Sequence, residues 1–339
     1  MKLLNRFIKY EKSCIGMDIG SYAVKTVKLF REKDNFKIQS IGYVRVKKPF
    51  SRDNMVEAVK ESAAKAGVLN REVNIAVSSP SVIVRFIELP RMTADELRNA
   101  VSFEAEKYIP FSVNEVILDH QLLIPRLKDN KMLVLLAAAK KDLVAERLNL
   151  AGEAGLSVGL LNVASFADVN AFFMTAGRKK NETSALIDIG SKATDINIIA
   201  DDILYFARSV QLGGDNITKA LSELYSIDFE KAESLKLNPG NKTTEICEKI
   251  RSIFQNIIDE IQLSFSYYEN QSGRAVEKVY VTGGGAKALN FCALLGENLS
   301  AGMTVWDPAN FMELNSSIDT QLFNSIKNQL GVSIGLALR

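Results

Sequence analysis

The tetrapeptide Asp18-Ile19-Gly20-Ser21 recurs unchanged as Asp188-Ile189-Gly190-Ser191, about half a chain later. Each copy closes an apolar run, Cys14-Ile15-Gly16-Met17 in the first case and Ser184-Ala185-Leu186-Ile187 in the second. A second strand-like run follows each copy: Tyr22 to Phe30 carries Val24, Val27 and Leu29, and Ala193 to Ala200 carries Thr194, Ile196, Ile198 and Ile199. The pattern predicts two β-hairpins with glycine at the turn. A single such tetrapeptide is an ordinary β-turn. Two copies in the same strand context point to a duplicated fold.

The residue types at the turns suggest a ligand. Glycine allows backbone N–H groups to come close to an anion, and the neighbouring hydroxyls of Ser21, Ser191 and Thr194 can donate to phosphate oxygens. Asp18 and Asp188 would repel a phosphate, so their expected partner is a hydrated Mg²⁺ bridging carboxylate and phosphate. A third element is the β-run Lys278-Val279-Tyr280-Val281-Thr282 ending in Gly283-Gly284-Gly285-Ala286. Three glycines after a strand permit a nucleotide to lie against backbone, and equally permit a flexible strand-to-helix connection.

These three elements, in this order and spacing, resemble the actin-like ATPases. In that resemblance the two Asp-Ile-Gly-Ser turns stand as the two phosphate loops and Thr282 to Gly285 as the adenosine motif. Within the superfamily the chain is most similar to the PilM family of type IV pilus assembly proteins. The similarity is carried by Gly16-Met17-Asp18-Ile19-Gly20-Ser21 with Val24-Lys25, by Glu104-Ala105-Glu106-Lys107-Tyr108-Ile109-Pro110-Phe111, and by Gly335-Leu336-Ala337-Leu338-Arg339. It implies an α/β, actin-like fold of two ribonuclease H-like lobes with an inserted subdomain of the FtsA and PilM type. ATP and Mg²⁺ are the implied cofactors, held at Asp18, Gly20, Ser21, Lys25, Asp188, Gly190, Ser191, Thr194, Gly283, Gly284 and Gly285. The implied partners are the tail of a PilN-type inner-membrane protein and other pilus assembly proteins, with the protein cytoplasmic and peripheral at that membrane.

Glu233 and Lys236 lie three apart and share a helix face. The resemblance gives such a pair contacts to ribose and adenine; read alone, it is a solvated helical ion pair. Gly213-Gly214 resembles the turn opening the smaller part of the second lobe beside the nucleotide. Hydrolysis is a separate matter. Where the superfamily positions attacking water with a glutamate or glutamine, this chain reads Asn162-Val163-Ala164-Ser165, and alanine can neither orient nor deprotonate water. General-base help would have to come from Asp18, Asp188 or Asp195, so slow or negligible turnover is expected.

Patterning predicts an N-terminal segment over 1–13 and a first lobe over 14–80, resumed at 159–182 and 309–339. The insert is expected over 81–158, the second lobe's core over 183–212 and 275–308, and its helical part over 213–274. Pro90 and Thr93-Ala94-Asp95-Glu96 predict a break and an N-cap for a helix from Ala94 to Tyr108. Residues 1–9 suit a short basic amphipathic helix or a loose terminus.

With 339 residues, 47% of them hydrophobic and 24% charged, the chain has material for two cores. A net charge of +2 with interspersed signs gives no reason to expect nucleic-acid binding. Cys14, Cys247 and Cys292 are too scattered for a zinc or redox pair, which fits a reducing compartment. No apolar run approaches the ~18 residues that span a bilayer. One histidine, His120, cannot by itself supply a triad, and no P-loop is present. An FtsA-like dividing-cell protein and a small-molecule kinase of the same superfamily are the competing readings. The former is disfavoured because no linker and amphipathic helix follow Arg339, the latter because no acidic substrate motif is found.

Overall fold

The computed structural model describes residues 13–32, 35–78, 80–176, 180–288 and 291–339. The segment over residues 1–9 lies outside them. The chain opens with β1 (Ser13–Ile19), β2 (Ala23–Glu32), β3 (Asn35–Arg45), α1 (Arg52–Lys65) and β4 (Glu72–Val77). β5 (Val82–Pro90), α2 (Ala94–Ala105), β6 (Val116–Ile124), β7 (Lys131–Lys140), α3 (Lys141–Glu153), β8 (Ser157–Val163) and α4 (Ala164–Thr175) follow. The second half gives β9 (Thr183–Ile189), β10 (Thr194–Ala200), β11 (Ile203–Val210), α5 (Gly214–Tyr225), α6 (Phe229–Leu237), α7 (Thr243–Lys249) and α8 (Arg251–Ser272). It ends with β12 (Lys278–Thr282), α9 (Phe291–Asn298), β13 (Gly302–Val305), β14 (Glu313–Leu314), α10 (Thr320–Ile326) and α11 (Gly331–Ala337).

Duplication is visible in the strand order. One sheet runs β14-β3-β2-β1-β4-β8 and the other β11-β10-β9-β12-β13. Apart from the added β14, each is a meander of three antiparallel strands extended by two parallel ones. Parallel neighbours need a crossover connection, and each is served by a helix: α1 before β4, α3 before β8, α8 before β12 and α9 before β13. The crossover helices show the expected stripe. On α8, Phe254, Ile257, Ile258, Ile261, Phe265 and Tyr268 are buried at helical spacing and pack on Ile187, Ile196 and Val281.

The insert divides at α3. Three strands in the order β5-β7-β6, with α2, enclose a core of their own that includes Ile87, Leu97, Val101, Met132, Val134 and Leu136. Leu150, Ala151 and Ala154 at the end of α3 instead join the core formed by β1, β4 and α1. This departs from an insert over 81–158, because a βαβ crossover into β8 requires that helix against the first sheet. Helix α2 has the capping box read from Thr93 and Glu96, with Thr93 N–H donating to Glu96 Oε2 at 2.7 Å. It ends three residues before Tyr108, and Pro110 follows a short turn.

The last helix ties the first lobe together. A Cβ on Gly335 would fall 1.7 Å from the Ala167 carbonyl oxygen of α4, and one on Gly16 would fall 2.0 Å from Ser333 O. β1, α4 and α11 therefore approach as closely as backbones allow, which places the first hairpin turn and the start of α4 beside each other.

Candidate functional site

The two repeated turns face each other across the gap between the sheets, with Ser21 Oγ 2.7 Å from Ser191 Oγ. Both are tight in the same way: a Cβ on Gly20 would lie 2.9 Å from Ala23 O, and one on Gly190 would lie 2.9 Å from Ala193 O. Around them is a cavity of about 630 Å³. Asp18, Gly20, Ser21, Lys25, Asp188, Gly190, Ser191, Glu233, Lys236, Gly283, Gly284 and Gly285 all line it.

Three of the sequence-selected residues stand behind that wall. Thr194 is 1% exposed and donates its hydroxyl to Leu212 O at 2.8 Å, so it braces the turn where phosphate donation was expected. Gly214 N–H donates to Gly190 O at 2.9 Å, and a Cβ on Gly213 would meet Gly190 O and Ser191 O at 2.7 Å. Gly213 and Gly214 thus support the second turn from below and do not line the cavity.

The halves differ in one pair of positions. Asp18 is the cross-strand partner of Lys25 in the first hairpin, and Asp188 that of Asp195 in the second. Lys25 Nζ closes an ion pair with Asp18 at 2.5 Å. Burial works to depress the Lys25 ammonium, but the charge and hydrogen bond of Asp18, with the Asp188 charge, together outweigh it and the group titrates above its usual value. In the second hairpin two like charges oppose one another. Burial, reinforced by Asp195, pushes Asp188 up to about 7, and burial pushes Asp195 up to about 6.

This donor set fits a Mg²⁺-bound phosphate ligand. The first turn is electrically compensated by Lys25, whereas the second leaves two carboxyls to be neutralised. Among the described residues no three His, Cys, Asp or Glu side chains are grouped to hold a metal. Asp188 and Asp18 would therefore share Mg²⁺ with water and ligand phosphate, the usual habit of that ion.

At the other end, Glu233 and Lys236 are buried rather than solvated. Lys236 Nζ donates to Glu233 at 2.6 Å, to Thr218 Oγ1 at 2.9 Å and to Gly214 O at 3.3 Å, and Thr218 donates to Glu233 at 2.6 Å. The network fixes α5 against α6 and presents the pair to the cavity. Gly283, at φ +93°, lies where a Cβ would be 2.1 Å from Asp188 Oδ1. No other residue fits that place without displacing the carboxylate.

Ala164, the first residue of α4, lines the cavity as the sequence implied. Asp168 was missed. It is 1% exposed, hydrogen-bonds Asp188, keeps Oδ1 unpartnered, and burial followed by the Asp188 charge pushes it well above the carboxylate range. Its spacing of four from Ala164 puts both on one face of α4 and was the available signal. Arg147 and the pair Tyr22 and Arg45, with the guanidinium 5.1 Å from the ring centroid, also line the cavity. Arg147 contacts Ile19, 128 residues away, and no local pattern announces it.

Two copies of one sheet topology, joined at a cavity that both repeated turns enter, define an actin-like ATPase fold. The chain belongs to the PilM family of type IV pilus assembly proteins, whose sequence profile it matches over residues 16–339. Its structure is similar to one from a PilM-PilN type IV pilus biogenesis complex, with a TM-score of 0.86 and 26% identity over 96% of this chain and 98% of that one. The ethanolamine utilization protein EutJ from Carboxydothermus hydrogenoformans shares the fold at a TM-score of 0.57 and 15% identity, over 97% of this chain and 90% of that one. By sequence the chain is 25% identical to the cell division protein FtsA of Enterococcus faecalis over 261 residues, 68% of this chain and 59% of that protein. It thus spans about three-fifths of that relative's length.

Proposed function

We propose that this protein is an ATP- and Mg²⁺-binding scaffold of type IV pilus assembly, working on the cytoplasmic face and docking the tail of a PilN-type inner-membrane protein. The reading is carried by the meeting of the two Asp-Ile-Gly-Ser turns at Ser21 and Ser191, together with family membership. Lys25 would hold Asp18 in place, and the backbone N–H groups at Gly20 and Gly190 would receive phosphate oxygens. Glu233 and Lys236 would contact the ribose and base, with Gly283 to Gly285 giving the base a flat backbone wall. Mg²⁺, when bound, would supply charge neutralisation between the aspartates and the phosphates.

Turnover is expected to be slow or negligible. Ala164 occupies the place from which a carboxylate or amide would aim water, and Asp168 beside it faces Asp188 instead.

The docking reading is supported by the insert. Its strand β5 is an edge strand of a three-stranded sheet and flanks a groove of about 710 Å³. Val82, Val84 and Phe86 line the groove on one side, and Tyr205, Phe206 and Tyr267 on the other. An extended apolar peptide suits such a place, with the strand edge fixing its backbone and the rings receiving side chains. Titrating a fluorescent PilN-type tail peptide with and without MgATP tests this. Saturable binding lost in Val84→Arg places the tail on β5. Binding that survives Val84→Arg moves it elsewhere, and no binding removes the docking reading.

The similarity to FtsA favours a second reading, a cell-division protein assembling into polymers. Concentration-dependent filaments with MgATP, without peptide binding, would put it first.

A further inference from the structure

Arg147 lines the cavity from outside both hairpins and the second lobe. It stands on α3, which begins where β7 of the insert ends. Its Nη1 donates to Ile19 O at 3.2 Å, in the middle of the first Asp-Ile-Gly-Ser turn. Its Nε is buried and has no hydrogen-bond partner. Among the described residues it has no carboxylate within ion-pairing distance.

That is an unusual state for an arginine held by the fold. On the same helix, Glu153 receives Nε and Nη2 of Arg52 in a forked pair, with Nη2 at 2.7 Å. Arg208 likewise closes on Glu260 at 2.7 Å. A guanidinium carries five N–H donors, and at this half-buried arginine the protein supplies one neutral acceptor, which leaves donors for an occupant of the cavity. An anion with several acceptor oxygens, small enough to enter beside Gly20, matches those donors. Phosphate has that form, and the planar fork of arginine suits it.

We propose that Arg147 binds the phosphate tail of the nucleotide, as a third contact added to the two repeated turns. The assignment rests on the reading of the cavity as an ATP site.

Calorimetric titration of the full chain, wild type against R147Q and R147K, tests the assignment with MgATP, adenosine and Mg²⁺-tripolyphosphate as probes. Melting temperatures of the ligand-free proteins are taken alongside. MgATP should bind R147Q about 10- to 100-fold more weakly, the loss expected for a charge-assisted hydrogen bond. R147K should fall between, and adenosine should be unaffected. The ligand-free R147Q should melt close to wild type, since Arg147 is only half-buried and loses one hydrogen bond to a neutral carbonyl, which separates binding from a structural role. Equal MgATP affinity in wild type and R147Q overturns the proposal, as does a fall in melting temperature with affinity unchanged. Should wild type bind tripolyphosphate through Arg147 but not MgATP, the arginine stands and the nucleotide reading fails. Binding of neither overturns both.

Discussion

Ser21 Oγ and Ser191 Oγ, 170 residues apart in the chain, lie within hydrogen-bonding distance at 2.7 Å. Two turns of identical sequence thus close on one point, and whatever occupies that point is held by both lobes together. Replacing both serines with alanine should weaken MgATP binding about 10-fold or more while leaving the fold intact, because the hydroxyls are only half-buried. Calorimetry on the double variant checks the first part and circular dichroism the second.

Asp18 and Lys25 form a partly enclosed ion pair, so removing either partner leaves the other charge poorly solvated. Lys25→Met should destabilise the protein by about 3 kcal/mol. Adding Asp18→Asn should recover part of that loss, although nucleotide binding is not restored. Urea denaturation of the two single variants and the double variant gives the coupling directly.

The paired carboxyls of the second hairpin make a pH prediction for the protein without metal or nucleotide. Asp188 ionises near 3.8 when unfolded and at about 7 when folded, so the folded state holds its proton more tightly. That stabilisation is complete below about pH 4 and is lost as pH rises through 7. Asp195, at about 6, acts in the same direction. Exposed carboxylates with depressed values, such as Glu96 and Glu153, act oppositely but complete their contribution below about pH 5. The melting temperature should therefore fall from pH 5 to pH 8, and Asp188→Asn should flatten the profile. A profile rising over that window would contradict the assignment.

Gly283→Ala should abolish nucleotide binding and cost about 2 kcal/mol of stability, since φ +93° is poor for alanine and its Cβ would collide with Asp188. Gly284→Ala, with Gln329 at 3.3 Å as its nearest obstacle, should be much milder. Comparing the two by thermal melting separates strain at one position from general damage to the loop.

Ala164→Glu should raise steady-state ATP hydrolysis, because it restores a carboxylate at the start of α4 within the cavity. A phosphate-release assay reads the gain. An unchanged rate would mean that a carboxylate at this place does not aim the attacking water.

The hairpins, the turns and the glycine run were legible in the sequence because each is a local pattern: alternation, a breaker and a run of residues without side chains. Thr93 and Glu96 were legible for the same reason, their capping box being contained in four residues. What escaped depends on contacts between distant segments. Thr194 looks like a phosphate donor until its hydroxyl is seen on Leu212, and α3 looks like part of the insert until Leu150 and Ala151 are found against the first sheet. Asp168 reads as the one charged residue in the helix that begins Ala-Ser-Phe-Ala-Asp-Val, and only the approach of β9 makes it a partner of Asp188. Arg147 gives no signal at all before the chain is folded.

The exchange of lysine for aspartate at one hairpin position gives the molecule a polarity its repeated backbone lacks. The first half carries its own counter-ion and is electrically finished on folding. The second half keeps two carboxyls that a proton or an arriving cation would neutralise. On the proposed reading, the cation of a bound MgATP would be met at the seam between the lobes, by the half that lacks a counter-ion of its own.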